Sequence, residues 1–207
     1  AYQGRGVGEL LMRRILKEGE ALGLDSLQLE VVDRNFRAIG LYAKLGFVPI
    51  RVLGVWKRDR MPHRSGSGTS GMRDFDIKRV PSLYVLPLVD GFNEIRPCWQ
   101  NEPTALAKFY SRLSSYVARA GSDEIAYALY VDTSEGLYIV DFAASPSLHK
   151  GVRQGACEAL LEKIDLYVPR RMARAHNIPV EDYQGRVLRS LGFEIELKQQ
   201  EMVLCLR

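Results

Sequence analysis

Residues 26–47 read SLQLEVVDRNFRAIGLYAKLGF, and this stretch decides the fold. Leu27, Leu29 and Val31 alternate with Gln28 and Glu30, the period of a strand with one apolar face. Asp33 or Asn35 then offers a side-chain cap to a helix that runs to Leu45 and ends at Gly46. Phe47 to Lys57 reads as a second strand. Upstream, Gly4, Gly6 and Gly8 lead into a helical pattern from Glu9 to about Leu22. Leu11, Ile15 and Leu22 are expected on its inward face, and Gly23 fits its stop. Helix, strand, helix, strand predicts an α/β layer.

Beyond Arg58 the pattern breaks. Residues 64–74, RSGSGTSGMRD, are rich in Gly and Ser without apolar periodicity, as in a linker or a long loop. After Ser82 a second unit is expected. It opens with strands at Leu83–Val89 and Asn93–Arg96 around an Asp90-Gly91 turn, then a helix over 103–119. A hairpin follows at Glu124–Val131 and Gly136–Ala144. Next come a glycine-containing loop at 151–155, a helix from Ala156 to about Lys163 and a strand at about 165–168. A helix at Asp182–Leu191 and one or two strands over Phe193–Leu206 complete it. The halves echo each other. Gly6-Val7-Gly8-Glu9-Leu10-Leu11 can be set against Gly155-Ala156-Cys157-Glu158-Ala159-Leu160, and Leu45-Gly46-Phe47 against Leu191-Gly192-Phe193.

Composition narrows the function. Of 207 residues, 46% are hydrophobic and 26% charged, the balance of a chain that builds packed cores. The formal charge of +4 is mildly basic. A site for a polyanionic cofactor accounts for it, and a nucleic-acid-binding reading rests on that balance alone. No zinc spacing appears, so no metal is expected. Cys98, Cys157 and Cys205 are odd in number and widely spaced, which predicts a reducing, cytoplasmic compartment. No apolar stretch approaches the roughly 18 residues that span a bilayer, so no membrane is expected.

Two motifs carry chemistry. In Gln3-Gly4-Arg5-Gly6-Val7-Gly8, glycines let a ligand approach the backbone, and the free amides of a helix N-terminus attract phosphate. The pattern is neither a P-loop nor G-x-G-x-x-G. A helix entry that needs glycine for packing explains the loop equally well. In Asn35-Phe36-Arg37-Ala38-Ile39-Gly40-Leu41-Tyr42, the seven-residue spacing sets Asn35 and Tyr42 about 20° from alignment and roughly 10 Å apart on one helix face. Such a face suits an elongated ligand. A cap and a core tyrosine are the plainer alternative.

Taken together, Q-x-x-G-x-G, the strand LQLEV and N-x-x-A-x-x-L-Y-x-x-x-G-F resemble the GNAT N-acetyltransferase superfamily. The resemblance is strong over residues 1–50 and faint over 82–207, as in tandem two-unit members. It implies an α/β fold, a GNAT-like mixed sheet flanked by helices, in two related units. Residues 1–60 would be the C-terminal half of an acetyltransferase domain, 61–81 a linker and 82–207 a second, degenerate domain. The chain opens at Ala1 inside a motif, so the first unit is expected to lack its front half.

By the same resemblance, Gln3, Gly4, Arg5, Gly6, Val7 and Gly8 bind the pyrophosphate of acetyl-CoA. Asn35 contacts the cofactor's arm, and Tyr42 lies near its sulfur as general acid. Glu30 is the candidate base, with an exposed strand carboxylate as its alternative. The implied activity is acetyl transfer to a primary amine by direct attack. The acceptor would be a small molecule or a protein or peptide. A non-catalytic CoA-binding scaffold is the rival. In the second unit Val152 stands at the place of Gln3, Cys157 at that of Gly8 and Leu188 at that of Tyr42, which predicts a unit without the chemistry. Cys157 is expected as a packing residue, and Trp99 as either a liner of the acceptor site or a buried tryptophan.

Overall fold

A computed structural model describes residues 6–59, 75–167 and 172–206. The chain divides into two compact units, one of Ala1–Leu53 with Lys198–Arg207 and one of Gly54–Leu197.

In the first unit, α1 (Val7–Ala21), β1 (Ser26–Val32), α2 (Phe36–Lys44) and the start of β2 (Val48–Arg58) follow the local code closely. Gly23 (φ +68°) and Gly46 (φ +95°) take the left-handed turn that ends each helix, a conformation that costs glycine nothing. Behind Gly23, the Leu24 amide reaches back to the Gly19 carbonyl at 3.0 Å. The last strand, β8 (Glu194–Cys205), pairs antiparallel with β1 from Ser26–Cys205 to Val32–Gln199. Val31, Phe47 and Met202 form the buried centre, with Leu27, Leu29, Tyr42 and Leu204 packed around them.

The inward face of α1 differs from expectation. Met12 and Leu16 join the core, and Gly19 is buried where a Cβ would stand 3.0 Å from Leu206 Cδ1. Leu11, Ile15 and Leu22 are exposed. Both stripes have helical spacing, so periodicity alone does not choose between them.

The second unit contains β3 (Asp76–Val80), α3 (Ser82–Phe92), α4 (Pro103–Leu106), β4 (Ser114–Ala120), β5 (Asp123–Asp132), β6 (Leu137–Ala144), α5 (Lys150–Tyr167), β7 (Ala173–Pro179) and α6 (Tyr183–Ser190). Hydrogen bonding orders the strands of the chain β1-β8-β2-β7-β6-β5-β4-β3, one eight-stranded mixed sheet. The core of this unit gathers Val85, Val89, Leu106, Val117, Tyr127, Leu129 and Ala143.

Several sequence expectations are corrected here. Asp76–Val80, the end of the expected linker, is a strand whose Asp76 faces Arg119 across β4. Residues 60–74 of that linker lie outside the described residues. Leu83–Val89 and Asn93–Arg96 are not a hairpin. Residues 82–92 form α3, which buries Ser82, Val85 and Val89 at helical spacing and accommodates Pro87. A nearly unbroken apolar run fits both periods, and burial chooses the helix. The helix expected over 103–119 shrinks to Pro103–Leu106, because Ser115–Ala118 are buried on both faces of an interior strand. The helix expected from Ala156 begins at Lys150 and runs through Tyr167, so it takes in most of the strand expected at 165–168. The strand that follows is β7.

Candidate functional site

The loop residues Gln3, Gly4 and Arg5 lie outside the described residues. The loop's end is described. Gly6 caps α1 in the left-handed conformation (φ +75°), and its carbonyl accepts from the Leu10 amide at 3.0 Å. Among the described residues no side chain caps the helix, and the amides of its first turn have no intrahelical acceptor. These amides and the helix dipole make an anion-binding end. Gly6, Val7 and Gly8 are exposed. A Cβ on Gly8 would meet Leu41 Cδ2 at 3.5 Å, so α1 begins close against α2.

Charge at this end is balanced by an ion-pair trio. Glu9 sits in the first turn, where its carboxylate alone would oppose an anion. It pairs with Lys44 at 2.9 Å and with Arg13 at 2.8 Å. The Lys44 hydrogen bond, then that of Arg13, holds the Glu9 carboxyl below the usual carboxylate range. The trio carries one net positive charge and ties the first turn of α1 to the last turn of α2.

On α2, Asn35 is the N-cap. Its Oδ1 accepts from the Ala38 amide at 3.2 Å, which engages only the carbonyl end of the side chain. Tyr42 is half-buried. Its ring meets Phe47 edge-on with centroids 5.9 Å apart. Asn35 and Tyr42 therefore occupy the cap and core positions that the plainer reading gave them, and the same positions put both on one helix beside the start of α1.

Glu30 lies at mid-strand in β1, on the face away from Leu29 and Val31. It is half-buried, with one carboxylate oxygen out of contact with solvent. Its partner directly across on β8 is Glu201, which is fully buried. Glu201 accepts from Arg51 Nε at 2.5 Å through Oε2 and from Gln28 Nε2 through Oε1. Sequence reasoning missed Glu201, Arg51 and Gln28. The partners Gln28 and Glu201 are 173 residues apart, and nothing local announces their register.

β6 and β7 pair in parallel only from Leu137–Ala173 to Ile139–Ala175, and beyond that each strand goes on without the other. Separated strands leave main-chain groups that need other partners. Side chains supply them. Asn101 Nδ2 donates to the Val140 carbonyl at 2.8 Å, and Trp56 Nε1 donates to the Ile178 carbonyl at 3.1 Å. The Ala144 amide donates to the Tyr183 hydroxyl at 2.9 Å. Arg153 stacks on Tyr183, 4.3 Å from the ring centroid, and donates to Glu94 at 2.8 Å.

Gly155, set against Gly6 by sequence, is the sixth residue of α5, where its amide lies inside the helical ladder. The open glycine loop expected at 151–155 is therefore helix. Cys157 is fully buried, and desolvation pushes its thiol well above the ordinary range, which fits packing and not reactivity. Leu188 is fully buried. Trp99 corrects one expectation: it is 52% exposed, because the short 3₁₀ turn it opens buries Asn101 instead. Among the described residues no group of His, Cys, Asp and Glu gathers as metal ligands do, and no helix is long and apolar enough to cross a membrane.

With this geometry in view, comparison with known proteins is informative. The crystal structure of a GCN5-related N-acetyltransferase from Sphaerobacter thermophilus superposes on the whole of this chain and 70% of its own, with a TM-score of 0.64 at 12% identity. The fold is that of the GNAT acetyltransferases. Residues 1–47 match the family model described as Acetyltransferase (GNAT) family. A functionally unknown conserved protein from Staphylococcus epidermidis matches 93% of this GNAT-fold chain and 80% of its own, with a TM-score of 0.62 at 16% identity. A tandem GNAT protein from the clavulanic acid biosynthesis pathway matches 99% and 71%, with a TM-score of 0.58 at 15% identity. No curated protein matches the sequence.

Proposed function

We propose that this chain is an N-acetyltransferase that binds acetyl-CoA at the start of α1 and passes its acetyl group to a primary amine by direct attack. The observation that carries the reading is the uncapped N-terminus of α1, glycine-lined and exposed, within the residues that match the acetyltransferase family model. The residues fit the cofactor. Gln3, Gly4, Arg5, Gly6, Val7 and Gly8 would hold its pyrophosphate, the Glu9–Lys44–Arg13 trio leaves that end net positive, and Asn35 would contact its arm. Acetyl-CoA supplies the activated thioester. Glu30, directly or through water, takes the proton that the acceptor ammonium must lose before its nitrogen can attack. As the carbon–nitrogen bond forms and the carbon–sulfur bond breaks, the Tyr42 phenol donates its proton to the departing thiolate.

Two finer readings accompany this one. The chain is a tandem of two related repeats, an arrangement for which the tandem GNAT protein of the clavulanic acid pathway is a precedent. The strand order supports it: β1–α2–β2 and β7–α6–β8 share one pattern, and the run β1-β8-β2-β7 is unchanged when the two repeats are exchanged. In this reading the second repeat has lost its cofactor site. Tyr183, Asn101 and Trp56 take the main-chain hydrogen bonds that a ligand between β6 and β7 would need. The three free cysteines, two of them buried, suit a reducing, cytoplasmic setting.

The rival is a CoA-binding scaffold without turnover. Incubating the protein with acetyl-CoA and a panel of amines and peptides, and reading free CoA thiol, separates the two. Amine-dependent release supports the enzyme. CoA binding with no release from any acceptor supports the scaffold. Gly6 gives a further prediction. Its left-handed backbone disfavours a β-branched residue, and a side chain there would also crowd the phosphate approach. Gly6→Val should weaken CoA binding more than tenfold, about 1.4 kcal/mol. Calorimetry that finds unchanged affinity removes the loop from the site.

A further inference from the structure

Two features of the corner between α1 and α2 oppose an anion. Glu9 is the acidic residue in the first turn of α1. The last turn of α2 carries the negative end of that helix's dipole, and it lies close by, since a Cβ on Gly8 would stand 3.5 Å from Leu41 Cδ2. Two cations answer them, and their roles differ. Arg13 stands about one turn farther along α1. It gives two N–H groups to Glu9 Oε1, from Nε at 3.1 Å and from Nη2 at 2.8 Å. That pair alone balances the carboxylate. Lys44 reaches over from α2 and gives one N–H to Glu9 Oε2 at 2.9 Å. An ammonium carries three N–H groups, so two remain. The Lys44 side chain is 63% exposed, and among the described residues Glu9 is its one ion-pair partner.

We propose that Lys44 is a cofactor-binding residue whose ammonium passes from Glu9 to a phosphate of the cofactor, while Arg13 stays behind as the counter-ion of Glu9. The proposal rests on the reading of this end as the acetyl-CoA site. Glu9, which anchors the ammonium, is the third residue of α1 and belongs to the turn whose amides lack intrahelical acceptors. A phosphate there meets main-chain donors from α1 and a charged donor from α2. Hydrogen bonds between an ammonium and a phosphate are charge-assisted, roughly twice as strong as neutral ones. Arg13 keeps its hold on Glu9 during the exchange, so no bare carboxylate is left beside the ligand. Tying α1 to α2 is a weak reason for a second cation, because an exposed ion pair adds little stability. The chemistry recognised is a phosphate oxygen. Coenzyme A offers it in its pyrophosphate and in its ribose 3′-phosphate.

Two double-mutant cycles read by calorimetric titration of CoA into the full chain test this. One crosses Lys44→Gln with Glu9→Gln, the other Arg13→Gln with Glu9→Gln. Lys44→Gln should weaken CoA binding about tenfold, both with Glu9 in place and in the Glu9→Gln background. Arg13→Gln should weaken it by a smaller factor, and Glu9→Gln should abolish that effect, because Arg13 acts only through the carboxylate. Titration of dephospho-CoA, which lacks the 3′-phosphate, names the source. A Lys44→Gln effect that persists assigns Lys44 to the pyrophosphate, and one that vanishes assigns it to the 3′-phosphate. A change under about twofold in Lys44→Gln overturns the proposal. So does a larger change that disappears in Glu9→Gln, since Lys44 then serves Glu9 alone. Failure of the underlying reading looks different and removes the proposal with it: CoA then does not bind, or binds Gly6→Val as tightly as the wild type.

Discussion

Replacing Tyr42 by Phe should slow acetyl transfer by about 10²–10⁴-fold, the usual worth of a general acid, while CoA affinity stays within about twofold. The two effects separate because the ring and the hydroxyl do different things. The ring packs edge-on against Phe47 and beside Val31 and Met202, and phenylalanine keeps those contacts. What is lost is the hydroxyl, the proposed proton donor to the departing thiolate. Single-turnover measurement reads the chemical step even where product release limits the steady state. In the proposed tandem reading the position that matches Tyr42 is Leu188, which has no donor to lose. A volume-conserving Leu188→Met should therefore leave turnover nearly unchanged. Wild-type single-turnover rates in Tyr42→Phe would take Tyr42 out of the mechanism.

Asp165→Ala should destabilise the second unit by about 3–5 kcal/mol. Arg58 and Asp165 form an ion pair at 2.7 Å with side chains only 3% and 7% exposed. The guanidinium also donates to the Leu191 carbonyl at 3.0 Å and lies 4.4 Å from the centre of the Phe193 ring. Removing the carboxylate leaves a buried arginine charge with no counter-ion, which costs far more than the intact pair contributes. Urea unfolding followed by tryptophan fluorescence reads the loss.

The double replacement Arg58→Met with Asp165→Leu should recover most of that stability, because an apolar pair avoids desolvation altogether. Loss of less than about 1 kcal/mol in Asp165→Ala, well below a broken buried pair, would contradict the assignment. Burial outweighs Arg58 and holds the Asp165 carboxyl above the usual aspartate range. The folded state then binds this proton more tightly than the unfolded state does. The group's contribution to stability accordingly falls as pH rises from the unfolded value, near ~3.9, through the raised folded one.

What the sequence made legible was local. β1 shows a clean alternation, α2 has a capping asparagine, and Gly23 and Gly46 sit where left-handed turns end helices. Each of these is decided within a few residues, so single-sequence reasoning reaches it. The errors arose where burial is two-sided or contacts are distant. α3 is apolar almost throughout, and β4 is buried on both faces, so neither shows a single period. On α1 two apolar stripes compete, and the one with Gly19 faces the core because β1 and the chain end pack against that glycine. The candidate site divides in the same way. Asn35, Tyr42 and the α1 glycines were readable from motif and spacing. The Glu201–Arg51–Gln28 cluster depends on strand register between the two ends of the chain, which no local pattern carries.

The central claim is that one cofactor binds at the start of α1 and none binds in the proposed second repeat. Calorimetric titration of CoA into the protein tests it directly, with Gly8→Leu and Tyr183→Phe alongside. A Cβ at Gly8 would stand in ordinary contact with Leu41 at 3.5 Å, and helical side chains lean toward the N-terminus, so a leucine there extends toward the space before the helix. The account predicts one CoA per chain, affinity reduced more than tenfold by Gly8→Leu, and no change in stoichiometry or affinity with Tyr183→Phe. Two CoA per chain, or a single site indifferent to Gly8→Leu and weakened by Tyr183→Phe, would contradict it.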